Sequence, residues 1–242
     1  MRRKKVTYLM FTASVLLLLG SAVGSTRAAL TYYSNNYVAE ITVSQIGVSL
    51  LENGETVSSR DYSGKEWKVT NNQGGSSVNG ALLLHMLDEG EQLALNKTYD
   101  EKLTVKNSGT IDEYVRVRVY RYWMKDGKKV TSLTPDLIDL NLVNTDRWIK
   151  SPNETAECME LFYKGILKTG AETKPFADTI RIDGSLSADA EVKTDGTTIT
   201  TTYKYDGVEF HVDVEVDAVQ THNAKDAIKS AWGVDASELG IL

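Results

Sequence analysis

The stretch Asp112–Met124, DEYVRVRVYRYWM, decides the reading of this chain. At a period of two, Val115, Val117 and Val119 fall on one face with Trp123 further along it, while Tyr114, Arg116, Arg118, Tyr120 and Tyr122 fall on the other. A strand that buries one face has this pattern. Its residues are β-branched, aromatic or long-stemmed Arg, all of which lie well on a pleated surface. Turn residues bound it on both sides, Asn107-Ser108-Gly109 before and Lys125-Asp126-Gly127 after. Its length suits the middle of a sheet, so its neighbours are expected to be strands as well.

A second run alternates without a break: Val208, Phe210, Val212, Val214 and Val216 against Glu209, His211, Asp213 and Glu215. One face is expected to be core and the other wet, which places Phe210, Val212 and Val214 with Val115, Val117, Val119 and Trp123 in the core. The dipeptide Asp206-Gly207 predicts a two-residue hairpin joining this strand to Thr197–Tyr205. Upstream, Leu103 and Val105 alternate with Thr104 and Lys106 and lead through Asn107-Ser108-Gly109 into the central strand, as a hairpin or a sheet corner.

Further strands are predicted at Tyr37–Leu51, with a change of phase at Gln45-Ile46, at Trp148-Ile149, at Met159–Tyr163 and at Phe176–Ile182. Glu52-Asn53-Gly54-Glu55 reads as a turn. Residues 55–80 hold Ser58-Ser59, Asn71-Asn72 and Gly74-Gly75-Ser76-Ser77 with only Trp67 and Val69 as apolar anchors, so a flexible loop is expected there. Periodicity does not assign Leu82–Leu87. Thr134-Pro135 predicts one short helical turn. At the end, Asn223 is placed to cap a helix with Asp226 returning the bond, Ala224, Ile228, Ala231 and Trp232 form its apolar stripe, and Gly233 closes it. Many strands, short helices and one C-terminal helix predict a mainly β protein, an antiparallel β-sandwich in one domain over residues 29–242.

The first 28 residues are read apart from that domain. Arg2, Arg3, Lys4 and Lys5 precede a run of apolar or small residues from Val6 to Val23, and Ser25-Thr26-Arg27-Ala28-Ala29 offers small residues for cleavage. A secretory signal peptide over 1–28, cut between Ala28 and Ala29, is expected; a retained membrane anchor is the other reading. Without residues 1–28 the chain loses five basic and no acidic residues, which leaves 22 basic against 33 acidic and a formal charge of −11. Nucleic acid is therefore not an expected partner. A single cysteine, Cys158, excludes an intrachain disulfide and reads as a small buried hydrophobe or an intermolecular crosslink.

No catalytic pattern is present, and no cofactor is expected. His85, His211 and His222 lack the partner spacing of a zinc helix. His211-Val212-Asp213 puts two polar side chains on one strand face, which reads as solvated surface or a weak metal site; no metal is assigned. The Tyr and Arg face of the central strand could form a carbohydrate platform or stack against an acidic strand such as Glu209, Asp213 and Glu215.

Taken in order, the signal sequence with Thr26-Arg27-Ala28-Ala29, Val105-Lys106-Asn107-Ser108-Gly109-Thr110, Tyr114-Val115-Arg116-Val117, Tyr122-Trp123, Trp148-Ile149, Leu161-Phe162-Tyr163 and Ala218-Val219-Gln220-Thr221-His222-Asn223-Ala224 resembles the TasA/camelysin-like exported proteins of Gram-positive bacteria. It looks most like the group processed by a SipW-type signal peptidase. The resemblance implies a jelly-roll-like sandwich, secretion to the cell surface or extracellular matrix, membrane contact only before cleavage, and assembly with itself, and with other matrix proteins, into biofilm fibres. It also implies that a newly exposed N-terminal segment adds as a strand to the next subunit, here Ala29–Asn36 with Leu30, Thr31, Tyr32 and Tyr33. Camelysins have also been described as surface metalloproteases, but no zinc motif supports that role here. A metalloprotease and a monomeric adhesin using residues 55–80 are the alternatives to a structural, non-enzymatic fibre subunit.

Overall fold

The computed structural model describes residues 45–63, 66–72, 81–84, 86–89, 91–188, 190–195, 198–203, 205 and 207–242. Chain contacts divide the molecule at Thr42/Val43, and the unit Val43–Leu242 is a sandwich of two antiparallel sheets. One sheet has the order β3-β2-β1-β4-β10-β7, built from Glu66–Asn71, Glu55–Ser63, Gly47–Glu52, Thr98–Asn107, Ala177–Ile182 and Ile138–Leu142. The other has the order β13-β5-β9-β8, built from Glu209–Gln220, Glu113–Lys125, Cys158–Tyr163 and Trp148–Lys150, with β6 (Lys128–Val130) folded back on β5. The remaining strands, β11 (Ala190–Asp195) and β12 (Thr198–Tyr203), pair with each other and, among the described residues, with no other strand. The chain crosses between the main sheets at β4–β5, β6–β7, β7–β8 and β9–β10, so neighbours in a sheet are mostly not consecutive, the jelly-roll-like arrangement.

The core lies between the sheets. Val115, Val117 and Val119 of β5 are wholly buried, as are Val105, Ile138 and Phe176 from the opposite layer. Trp123 is buried beneath β6 and the Pro135–Leu137 3-10 turn, where its indole N–H donates to the Thr134 carbonyl at 3.0 Å. Thr134 caps that turn by accepting the Asp136 amide. Arg121 also points inward, a position its charge did not suggest; its two Nη donate to the Ile138 carbonyl at 2.7 Å and to Asp136, while its Nε has no partner among the described residues.

The corner from β4 into β5 is fixed by side-chain chemistry. Asn107, fully buried, donates to the Ile111 and Leu167 carbonyls and accepts the Gly109 amide at 2.9 Å. A Cβ on Gly109 would stand 2.4 Å from the Gln45 carbonyl oxygen, so only glycine allows this approach. Because β4 and β5 lie in different sheets, the connection is a corner and not a hairpin.

A second, smaller core sits on the outer face of the β5 sheet. The helix α1 (Ala224–Trp232) lays Ile228 and Trp232 on Phe162, Tyr114 and Val219, with Val234, Ala236 and Ile241 closing the cluster. Gly233 at φ 74° ends the helix, its amide bonding the Lys229 carbonyl. Asn223 differs from expectation. It is itself left-handed at φ 51°, where a capping residue is usually extended, and its side chain makes no cap bond. Ala231 is exposed and does not join the buried stripe.

Two further expectations are corrected. Residues expected to be a loop, 55–80, hold the strands β2 and β3 over 55–63 and 66–71. Asn53 and Gly54, both at positive φ, reverse β1 straight into β2, and the sheet then supplies a ladder that the polar side chains themselves do not signal. Among the described residues β12 pairs with β11 and not with β13, where a hairpin with β13 was expected. The alternating valines of β13 pair with β5 over twelve positions, Val214 opposite Val119 and Val216 opposite Val117.

Candidate functional site

The edge at β13 borders a groove between the two sheets. Among the described residues this strand pairs with β5 on one side and with nothing on the other, although it runs for twelve residues. It packs over β1, while β2 and β3 carry the opposite sheet further out. The overhang leaves a groove of about 680 Å³ alongside β13. Val48, Leu50 and Val57 line it from one sheet and Val212, Val214 and Val216 from the other. Alternation explains both sets: the even positions of β13 face the core side, and a strand with no outer neighbour leaves them half covered. Phe210 and Val214, expected in the core, are accordingly half-buried, whereas Val212 is buried.

The outer face of β5 and β13 carries charge in register. Tyr120 stands opposite Asp213, Arg118 opposite Glu215 and Arg116 opposite Asp217. Arg116 donates to Asp217 at 2.7 Å and to Glu160 of β9 at 3.0 Å, and its guanidinium lies 5.5 Å from the Trp232 ring centre. Arg118 reaches Glu215 at 2.7 Å and Asp217 at 3.3 Å. Tyr122 donates to Asp213 at 2.8 Å; burial, then that hydrogen bond and the carboxylate charge, push its phenol up to about 12. The Tyr122 ring stacks with His211 at 5.2 Å and meets the Lys129 ammonium at the same distance. With those neighbours the ring is not an open platform for a sugar. Cys158, half-buried, has its thiol pushed up by burial against weaker pulls from Tyr120 and Arg118, the opposite of an activated thiolate.

Three glutamates are buried away from this face. Glu101 of β4 and Glu52 of β1 both point into the sandwich, where Glu101 hydrogen-bonds Glu52 and Glu52 accepts the Leu83 amide at 2.5 Å. Burial, then the hydrogen bond and charge of Glu52, hold the Glu101 carboxyl far above the usual range, so it keeps its proton. Glu113, wholly buried at the start of β5, is pushed up to about 8 by burial, with the Gly47 backbone pulling down and Asp61 adding a smaller upward push. Neither of its oxygens has a partner of full hydrogen-bond geometry.

Of the residues singled out in the sequence, the structure brings Val212 and Val214 to the groove and leaves Val115, Val117, Val119 and Trp123 beneath it in the core. His211 faces outward, 3.6 Å from Glu209, and among the described residues no three His, Cys, Asp or Glu side chains are grouped as for a metal ion. Ala28, Ala29, Leu30, Thr31, Tyr32, Tyr33, His85, Gly74, Gly75 and Asp206, and the strand expected at 37–43, lie outside the described residues. Sequence reasoning missed Val57 and Arg60, which line the groove from β2. The signal was the Asn53-Gly54 dipeptide, which predicts a strand on each side of it. Comparison with protein-family models, curated proteins and solved structures finds no match to this chain.

Proposed function

We propose that this protein is a secreted, non-enzymatic subunit that assembles into extracellular matrix fibres by strand addition, as the resemblance to TasA/camelysin-like proteins implies. The observation that supports this reading is the outer edge of β13, which has no neighbour among the described residues and borders a groove with valines on both walls and polar side chains around them. An exposed edge is a ready template for another chain, and soluble proteins usually blunt one with Lys, Pro or a bulge. β13 has none of these along Glu209–Gln220. An added strand would gain a ladder of main-chain hydrogen bonds, and alternate side chains would enter the groove between the sheets.

The occupant proposed is Ala29–Asn36 of a second copy, exposed when a SipW-type peptidase cuts before Ala29. The segment holds no charge and no Pro, and eight residues fit along the twelve of β13. Leu30 and Tyr32 on one face would together bury about 2–5 kcal/mol of transfer free energy at each joint. The groove is lined on both sides by valines that take such side chains.

Electron microscopy and light scattering on the mature protein test this. The mature chain is expected to form filaments, whereas Leu30→Asp and Val214→Lys remain unassembled while keeping the circular dichroism of the parent. Lysine at 214 places an ammonium where the guest side chain would go, the device by which natural edges resist pairing. Filaments of equal yield from all three proteins would remove strand addition at β13.

A further inference from the structure

The Arg60 side chain crosses the groove beside β13. Arg60 belongs to β2, on the sheet opposite β13, and is paired across the ladder with Val48, a core residue, so it points to the inner side of its sheet. From there its guanidinium reaches past the edge of β13 to Asp217 on the outer face, with Nη1 3.4 Å from Oδ1. Arg60, Val216 and Glu215 line the same groove. The ion pair therefore joins the two sheets at the level where a strand added to β13 would have to pass.

We infer that Arg60 is a strap across this groove: its ion pair with Asp217 must open before a strand can complete its ladder on β13, and so sets the pace of assembly. This inference rests on the strand-addition reading above and names its regulation. The surroundings make such a strap reversible. Asp217 also accepts from Arg116 at 2.7 Å and from Arg118 at 3.3 Å, so releasing Arg60 leaves the carboxylate compensated. The Arg60 side chain is 38% exposed, so swinging outward strips little water from it and buries nothing unpaired.

The strap sits toward one end of the groove, and Val212 and Val214 lie clear of it toward the other. A short apolar segment that covers only those valines never displaces Arg60. A full-length guest strand gains enough ladder to do so. The pair thus gives an otherwise unprotected edge a bias against partial, unspecific pairing, a role that charges serve on other sheet edges.

Seeded elongation of the mature full-length protein, followed by light scattering, tests the strap with Arg60→Gln and Arg60→Glu. Circular dichroism and the thermal midpoint establish that each variant is folded. Arg60→Gln is expected to elongate about twofold to fivefold faster than the parent, the range an exposed ion pair supports. Arg60→Glu, repelled by Asp217, is expected to be faster still. Raising salt from about 0.05 to 0.5 M is expected to speed the parent and to leave Arg60→Gln nearly unchanged, because only the parent has a screened pair to lose. If the parent elongates and Arg60→Gln is equal or slower, the strap is overturned and strand addition stands. If no variant elongates under any salt, strand addition itself falls and the strap with it.

Discussion

β5 and β13 look alike in sequence and pair with each other over twelve rungs, yet they live in different environments. Val115, Val117 and Val119 of β5 are wholly covered, whereas Phe210, Val214 and Val216 of β13 keep part of their surface exposed. β5 is flanked by β13 and β9, and β13 by β5 alone among the described residues. Alternation thus tells which face of a strand turns inward, and says nothing about whether a neighbour covers its far side. The difference between the two strands is the groove that opens beside β13.

The largest expected effect sets the two strands directly against each other. Val117 and Val216 are cross-strand partners. Aspartate at 117 puts an unpaired charge in a sealed core and is expected to cost several kcal/mol, enough to unfold a marginal domain. Aspartate at 216 can reach water through the open groove and is expected to cost about 1–2 kcal/mol, in line with an ordinary destabilising substitution. Urea denaturation of both variants checks this. Equal losses would mean that β13 is sealed by another strand in solution, and the comparison would fail.

The contrast also marks what was legible beforehand. The faces of β5, β9 and β13 and the terminal helix follow from periods of 2 and 3.6, because local geometry alone dictates them. The position of β2 does not follow. Its residues, Glu-Thr-Val-Ser-Ser-Arg-Asp-Tyr-Ser, bury one valine strongly, and the strand exists because β1 and the Asn53-Gly54 turn hold it in place. Pairing of β13 with β5 was likewise invisible, since turn residues report only neighbours that are close in the chain. Hence the groove, made of β2 overhanging the end of the other sheet, could not be read from the chain, although Val212 and Val214 could.

An intermediate effect distinguishes carboxyls inside the sandwich from those on the edge strand. Asp217 and Glu215 on β13 stay beside arginines, while Glu101 and Glu113 lie buried and are held protonated. For an acid whose folded pKa is raised, the unfolded chain releases its proton first, near 4.5, while the native state keeps it. Above that value the unfolded state binds fewer protons, so stability falls as pH rises. For Glu113 the loss runs from about 4.5 to about 8 and then levels off. Glu101 adds to it in the same direction and continues higher. Each carboxyl contributes on the order of 1 kcal/mol per pH unit within its window. Chemical denaturation at a series of pH values is expected to show greatest stability near pH 5. Glu113→Gln, which keeps shape and removes the titration, is expected to flatten the profile between 5 and 8, and an unchanged slope would show that Glu113 is already ionised in the native state.

The smallest effect separates two neighbours on the outer face of β13. The Asp217 side chain is 20% exposed and faces Arg60, Arg116 and Arg118 at 3.4, 2.7 and 3.3 Å, and its main partner Arg116 is 11% exposed. Glu215 is 50% exposed and meets Arg118 at 2.7 Å and, more weakly, the Tyr120 hydroxyl at 3.5 Å. Coulomb attraction at similar distance is far stronger where water is excluded, so the shorter list of contacts is not the only reason for Glu215 to matter less. Removing the Asp217 charge also leaves Arg116, beside the Trp232 ring, with Glu160 as its remaining carboxylate. Asp217→Asn is therefore expected to cost about 1–3 kcal/mol, as for a hydrogen bond to a charged group. Glu215→Gln is expected to cost no more than about 0.5 kcal/mol and to lose even that in high salt. Thermal midpoints at low and high ionic strength measure both. A Glu215→Gln loss as large as that of Asp217→Asn would mean that something covers the outer face of β13 as well as its edge.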